Sequence, residues 1–209
     1  AWLTSTCNFF GKNCFVWGLV LPFAIPPYIM AYSFTGLFDS YGTANELMKL
    51  IFNLDSDEVF FPSVRNISGA ILIFSFTLYP YVFLISRTAF LNQSRDIFDI
   101  SRTLGLSKSK TFLKVALPLA RPAVIAGIML VAMETLSDFG AVEHFAVPTF
   151  TSGIFRTWFG MNDIITAKQL AAFLFLLFLI FIVIEKYSRR KLQYNNISTS
   201  NRRLVSVQL

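Results

Sequence analysis

Leu170–Ile184 reads LAAFLFLLFLIFIVI, with Lys168 just before it and Lys186 just after it. No polar residue interrupts the run. A helix needs about 20 predominantly apolar residues to cross the hydrocarbon core of a bilayer. Long basic side chains at the ends of such a helix can reach the interface. This stretch therefore reads as a membrane-spanning helix, and the rest of the chain agrees with it. Apolar types make up 55% of the 209 residues and charged types only 14%, with 24 phenylalanines. Ordinary soluble domains carry about 25% charged residues. Mean hydropathy is +0.58. This composition excludes a disordered chain, a nucleic-acid-binding tail and most soluble enzymes. The expected fold class is an all-α polytopic membrane protein.

Three more windows follow the same logic. Asn13–Phe38 holds no charged residue, but Pro22, Pro26 and Pro27 interrupt it. Neighbouring helices can satisfy carbonyls freed by proline in a membrane, so a first span with a kink is expected. Asn66–Ser86 lies between Arg65 and Arg87, with Pro80 inside. Pro122–Met133 is uncharged and too short to span alone; Glu134 and Asp138 follow. Either that helix continues with its acids turned inward, or it breaks and re-enters. The expected layout is one transmembrane domain over 1–186, with spans near 14–36, 66–87, 122–140 and 164–185. A connecting loop is expected over 91–121 and a polar linker or tail over 187–209.

The charges orient these spans. Residues 87–121 carry Arg87, Arg95, Arg102, Lys108, Lys110, Lys114 and Arg121 against Asp96 and Asp99. Residues 185–209 are basic as well. Residues 37–66 are acidic, with Asp39, Glu46, Asp55, Asp57 and Glu58 against Lys49 and Arg65. Basic loops stay on the cytoplasmic side. Four spans then alternate consistently, with 87–121 and the tail inside and 37–66 outside. The chain opens at Ala1-Trp2-Leu3-Thr4, without an initiator Met or the basic start of a signal peptide. It is expected to be part of a longer polypeptide.

The loop is too patterned for a plain connector. Ile97, Ile100 and Leu104 recur at helical spacing, while Arg95, Asp99 and Arg102 fall toward the other face. Gly105 is placed to end that helix, and Ser107 to cap the next. Phe112, Val115 and Ala116 supply the second helix's apolar side, which Leu117-Pro118 is expected to close. A helix–glycine–helix elbow joined to two spans can be gripped by a partner and pushed. The competing reading is an amphipathic helix lying on anionic lipid.

Asp99-Ile100-Ser101-Arg102-Thr103-Leu104-Gly105, then nine residues, then Val115-Ala116-Leu117-Pro118, resembles the EAA loop of binding-protein-dependent ABC transporter permeases. In that pattern Glu-Ala-Ala, three residues and Gly are followed by nine residues and Ile, any residue, Leu-Pro. The glycine, the gap and Leu-Pro match. Asp99, Ile100-Ser101 and Val115 depart from it. Met133–Gly140 and Gly153–Gly160 look like the iron(III) permeases of this superfamily, with thiamine, sulfate and phosphonate permeases on the same scaffold. The resemblance implies the transmembrane domain of a type I importer, in the first half of a fused two-half chain. It implies a bacterial inner (plasma) membrane location and contact with membrane lipid. It also implies separate ATP-binding subunits, a periplasmic substrate-binding protein and a second permease half or subunit. The coupling residues it implies are Asp99, Ile100, Ser101, Gly105, Val115, Leu117 and Pro118. This chain has no G-x-x-x-x-G-K-[ST] phosphate loop. ATP is expected on the partner, no cofactor on this chain, and no catalytic residue here.

Glu134 and Asp138 lie four residues apart and so on one helical face. Acids at membrane depth face a bundle interior or a watery path. They are candidate pathway residues, with Glu143 near the outer mouth. Alternatively either acid bonds backbone amides at a broken helix, pairs with Arg156 or stays protonated. Cys7, Cys14 and the lone His144 lack the spacing of a metal site, so no metal ligand is assigned. Trp2, Trp17, Trp158, Tyr28 and Tyr32 are expected in the interfacial belt. The rival functions are a secondary transporter driven by an ion gradient, with Glu134 and Asp138 as relays, and a non-transporting scaffold.

Overall fold

A computed structural model describes residues 1–52, 61, 63–93, 95–103, 105–190 and 207–208, without the side chains of 95–97, 102, 188–190 and 207–208. The described chain is mostly helical, with a parallel pairing of Cys7–Asn8 (β1) with Val207–Gln208 (β2). The helices are α1 (Trp2–Thr6), α2 (Lys12–Val20), α3 (Pro27–Phe38), α4 (Thr43–Phe52), α5 (Ile67–Leu91) and α6 (Arg95–Thr103). They continue with α7 (Lys108–Thr111), α8 (Leu117–Ser137), α9 (Gly140–His144), α10 (Phe150–Phe155) and α11 (Ile164–Arg190). π-helical turns occupy Phe112–Ala116 and Arg156–Gly160.

Among the described residues, three helical runs are long and apolar enough to cross a membrane: Ile67–Leu91, Lys108–Ser137 and Ile164–Tyr187. At 1.5 Å per residue, each exceeds the roughly 30 Å hydrocarbon core. Lys12–Ala24 with Pro27–Phe52 makes a fourth if taken as one broken span. The kink expected near the prolines is a full break, with a 93° bend at Ile25–Pro26. Pro26 has ψ 143° and caps α3, with Pro27 at the first helical position. A residue preceding proline is pushed out of the helical region, so two adjacent prolines end one helix and start another. Pro80 lies inside α5 without breaking it.

The third window resolves in two parts. The helix continues through Glu134 to Ser137, then stops, and α9 begins at Gly140. The close expected at Leu117-Pro118 is absent. α7, the π-turn and α8 form one helical run, Lys108–Ser137. Pro118 lies inside that run and offers it no N–H; the π-turn just before it is the local adjustment by which a membrane helix accommodates proline. The Leu117 N–H instead reaches back to the Phe112 carbonyl, one residue farther than in an α-helix.

The chain packs as two compact units. One holds 1–21, 80–132 and 179–209; the other holds 22–79 and 133–178. In the first, Phe90, Ala116 and Ala120 form the buried core, with Trp2, Phe98 and Phe112 packed around it. α5 and α8 approach closely here. A Cβ added to Gly127 would sit 2.8 Å from the Val82 Cα. Small residues permit such backbone contact between membrane helices.

In the second unit, α9 lies against α3. Ala31 and Ala141 are wholly buried there, and a Cβ on Gly140 would come within 2.9 Å of the Tyr28 Cβ. Asn45 on α4 is also wholly buried. Its Nδ2 donates to the carbonyls of Asp39 (2.8 Å) and Phe61 (3.4 Å), and its Oδ1 accepts from the Phe61 N–H at 2.8 Å. Arg65 Nε meets Asp39 Oδ2 at 3.1 Å. α10 starts with a reciprocal cap, in which Thr149 and Ser152 each bond the other's backbone N–H.

Many large apolar side chains point outward, among them Phe173, Phe175, Leu176, Ile180 and Val183 on α11. A helix apolar all round and mostly uncovered belongs in lipid.

Candidate functional site

The elbow is a helix, a bend and a helix. α6 ends at Thr103, Gly105 takes φ +74°, and α7 starts after Ser107. A positive φ is the left-handed region that glycine enters without a Cβ penalty. A Cβ built there would meet nothing within 4 Å, so backbone conformation alone selects glycine at this position. The Ser107 side chain accepts from the Lys110 N–H at 3.4 Å, a long N-cap bond.

α6 turns Ser101 inward, only 3% exposed, and leaves Asp99 and Ile100 outside, Ile100 at 58%. The inward packing comes from Phe98. Its ring lies 5.4 Å from that of Trp2. Ile97 and Leu104, the other members of the expected apolar stripe, lie outside the described side chains. Ile100 is thus displayed rather than packed, as a contact surface for another protein requires.

On the second arm, Val115, Leu117 and Pro118 are half-buried and Ala116 is wholly buried. Lys110, Leu113 and Lys114 are exposed. Gln93, two residues past α5, donates from Nε2 to the Ala116 carbonyl at 2.9 Å. That bond ties the end of the second span to the π-turn. Trp2 touches three rings: Phe90 at 5.3 Å, Phe98 at 5.4 Å and Phe112 at 5.3 Å. No local periodicity signals this, because the four rings come from four separate elements.

The acids behave differently from one another. Asp138 sits in the break between α8 and α9, where its Oδ1 accepts from the N–H groups of Ala141 (2.8 Å) and Val142 (3.3 Å). It thus satisfies two of the amides that a helix start leaves open. Glu134 and Glu143 are exposed. Among the described residues, neither Glu134 nor Asp138 pairs with Arg156. Also among the described residues, no three His, Cys, Asp or Glu side chains come together as a metal site would need.

His144, at the end of α9, reaches α3. Its Nε2 lies 2.7 Å from the Thr35 Oγ1, and its ring is tilted against Tyr32 with centroids 5.3 Å apart. Beyond it, Phe139 stacks on Phe155 at 4.1 Å, Phe155 on Phe159, and Phe159 on Trp158 at 4.7 Å.

The family model described as "Binding-protein-dependent transport system inner membrane component" matches residues 3–193. The chain is 27% identical over 191 residues to the Fe(3+)-transport system permease protein FbpB 2 of Haemophilus influenzae, covering 91% of this chain and 33% of that one. It is 28% identical over 145 residues to the molybdenum transport system permease protein ModB of the same organism, covering 69% and 60%. The chain thus spans between a third and three-fifths of the length of these relatives. Among solved structures, a bacterial alginate ABC transporter in complex with an alginate pentasaccharide-bound periplasmic protein shares the fold, with TM-score 0.68 at 16% identity over 91% of this chain and 70% of that one.

Proposed function

The chain belongs to the family of binding-protein-dependent transport system inner membrane components, and from that premise we propose that it is the permease part of an ATP-driven importer whose cargo is iron(III). The carrying observation is the elbow. Its left-handed Gly105 joins two arms, and the second arm runs without interruption into an apolar helix of membrane length. A push on the exposed Asp99–Ile100 face is therefore applied to the base of a span.

In this reading, separate ATP-binding subunits grip the elbow at the exposed Asp99, Ile100 and Gly105; Ser101, expected at the contact, is buried and shapes the elbow from behind with the half-buried Val115, Leu117 and Pro118. A periplasmic binding protein delivers cargo on the other side, and a second permease half or subunit completes the path. ATP binding to the partner contributes differential affinity for one of two packings of the spans. This chain contributes the lever and the path, not the hydrolysis. Of the acids, Glu134 and Glu143 are free to face the path. Asp138 acts through the position of α9. The solved alginate transporter, captured with its periplasmic protein, supports the choice of partners. Iron(III) is favoured because the iron-transport relative aligns along 91% of this chain, and the molybdenum relative along 69%.

The test is uptake by sealed vesicles containing the full-length permease, its ATPase subunits and its binding protein. With ATP and no ion gradient, iron(III) should accumulate, while molybdate and sulfate should not compete. Uptake driven by a gradient without ATP would overturn the importer reading. ATP-driven uptake of molybdate or sulfate in place of iron would overturn the cargo alone.

A further inference from the structure

The elbow's stiffness has a source outside the elbow. α6 and α7 flank Gly105, where a main-chain bond from the Leu106 N–H to the Ser101 carbonyl, 3.0 Å long, closes the bend. Beyond the bend, both arms send a ring to the same place: Phe98 from the first and Phe112 from the second. The ring between them is Trp2 of α1, which also meets Phe90 at the end of α5, edge to face at 73°. Phe90 is 3% exposed and lies 6.2 Å from Phe112. The indole is the aromatic partner of Phe98, which also packs against the Phe90, Ala116 and Ala120 cluster.

We infer that Trp2 is a positioning residue for coupling: it locks both arms of the elbow onto the end of α5, so that a load on the first arm reaches the spans as movement rather than as bending at Gly105. The inference rests on the proposed importer function for its consequence, and on geometry alone for the lock. A tryptophan suits the task. It is large and rigid, and it offers faces and edges to several aromatic partners at once. Alanine removes all three ring contacts, whereas phenylalanine keeps an aromatic plug in the same place.

The experiment uses the full-length permease assembled with its ATPase in vesicles, and compares wild type, Trp2→Ala, Trp2→Phe and Phe98→Leu. Amide hydrogen exchange over residues 98–112 reads the lock. Trp2→Ala should speed it by about tenfold or more, because local opening no longer breaks aromatic contacts. Trp2→Phe should restore most of the protection, and Phe98→Leu should mimic the loss from the other side. The ratio of ATP hydrolysed to cargo imported reads coupling. It should rise several-fold in Trp2→Ala and return toward wild type in Trp2→Phe. Unchanged exchange in Trp2→Ala overturns the lock. Faster exchange with an unchanged ratio overturns the coupling role. Should wild type show no ATP-driven uptake, the importer reading fails, while the exchange measurement still decides whether Trp2 holds the elbow.

Discussion

Thr35 and His144, 109 residues apart in the chain, approach to 2.7 Å between Oγ1 and Nε2. The Thr35 hydroxyl has one proton, and it is directed at the Tyr32 carbonyl at 2.9 Å. With that proton on the Tyr32 carbonyl, the hydroxyl oxygen is open to accept, and the tautomer with the proton on His144 Nε2 fits both contacts. The contact joins α3 to α9, two elements whose tight seam is otherwise made by Ala31, Ala141 and Gly140.

This arrangement has a pH signature. Burial first, and the positive charge of Arg65 second, hold the His144 imidazole below its ordinary value; Asp39 pulls the other way. The folded state thus favours the neutral ring. The associated stability is complete above the ordinary value of about 6.5 and is lost as the pH falls through the lower folded-state value. NMR titration of ring-labelled protein should show His144 titrating below that ordinary value. Arg65→Ala should raise it, and Asp39→Asn should lower it further. Opposite directions would show that the ring does not sense this pair.

Gly105 can be tested through its backbone rather than its bulk. Alanine there should cost about 1–2 kcal/mol of elbow stability, from the left-handed conformation alone. Asparagine tolerates that region and should retain coupling, whereas valine should lose it, giving ATP hydrolysis without matching uptake. Equal behaviour of asparagine and valine would mean that the positive φ is not what the elbow needs.

At Gly127 the obstacle is another helix's backbone. Gly127→Ala drives a methyl toward the Val82 Cα, and α5 and α8 must separate. A loss of about 1–3 kcal/mol is expected, in the range of overpacked sites, read as a lower thermal midpoint in detergent. Trimming the neighbour with Val82→Ala should recover little, because the nearest atom remains in place. Full recovery would refute the backbone argument.

Asp138 separates a cap from a charge. Asp138→Asn keeps an oxygen for the Ala141 and Val142 amides and should unfold near the wild-type temperature. Asp138→Ala should lose about 0.5–2 kcal/mol, the usual cost of a lost N-cap. Glu134→Gln should leave stability alone and slow uptake. If Asp138→Asn is as unstable as Asp138→Ala, the carboxylate does more than cap.

Much of this architecture could be read from one dimension. Leu170–Ile184 and Asn66–Ser86 announce spans because hydropathy is a local sum, and Gly105 and Ser107 announce a bend because caps and left-handed residues are local too. The acids were half legible. Their position past an uncharged window implied either a continued or a broken helix, and the structure has both in succession. The prolines near Ile25–Pro26 announce a kink but not a full break, since proline's effect depends on whether neighbouring helices rescue the freed carbonyls. The continuity through Leu117-Pro118 depends on a π-turn, which has no sequence signature comparable to a cap. Trp2, Phe98, Asn45 and Thr35 could not be found by spacing at all. Their partners lie far away in sequence, and only folding shows which ring or amide they meet.

The widened turn at Phe112–Ala116 also sets an azimuth. Each residue in an α-helix advances about 100° around the axis, so a slightly looser turn changes which side of every later residue faces its neighbours. Gly127 meets Val82 only at one phase. Loss of a single residue between Thr111 and Leu117 would keep the rod and spoil its phasing, swinging Gly127 away from α5 and bringing a bulkier side chain into the seam. The elbow and the helix seam above it are therefore geared together, and neither can be re-indexed alone.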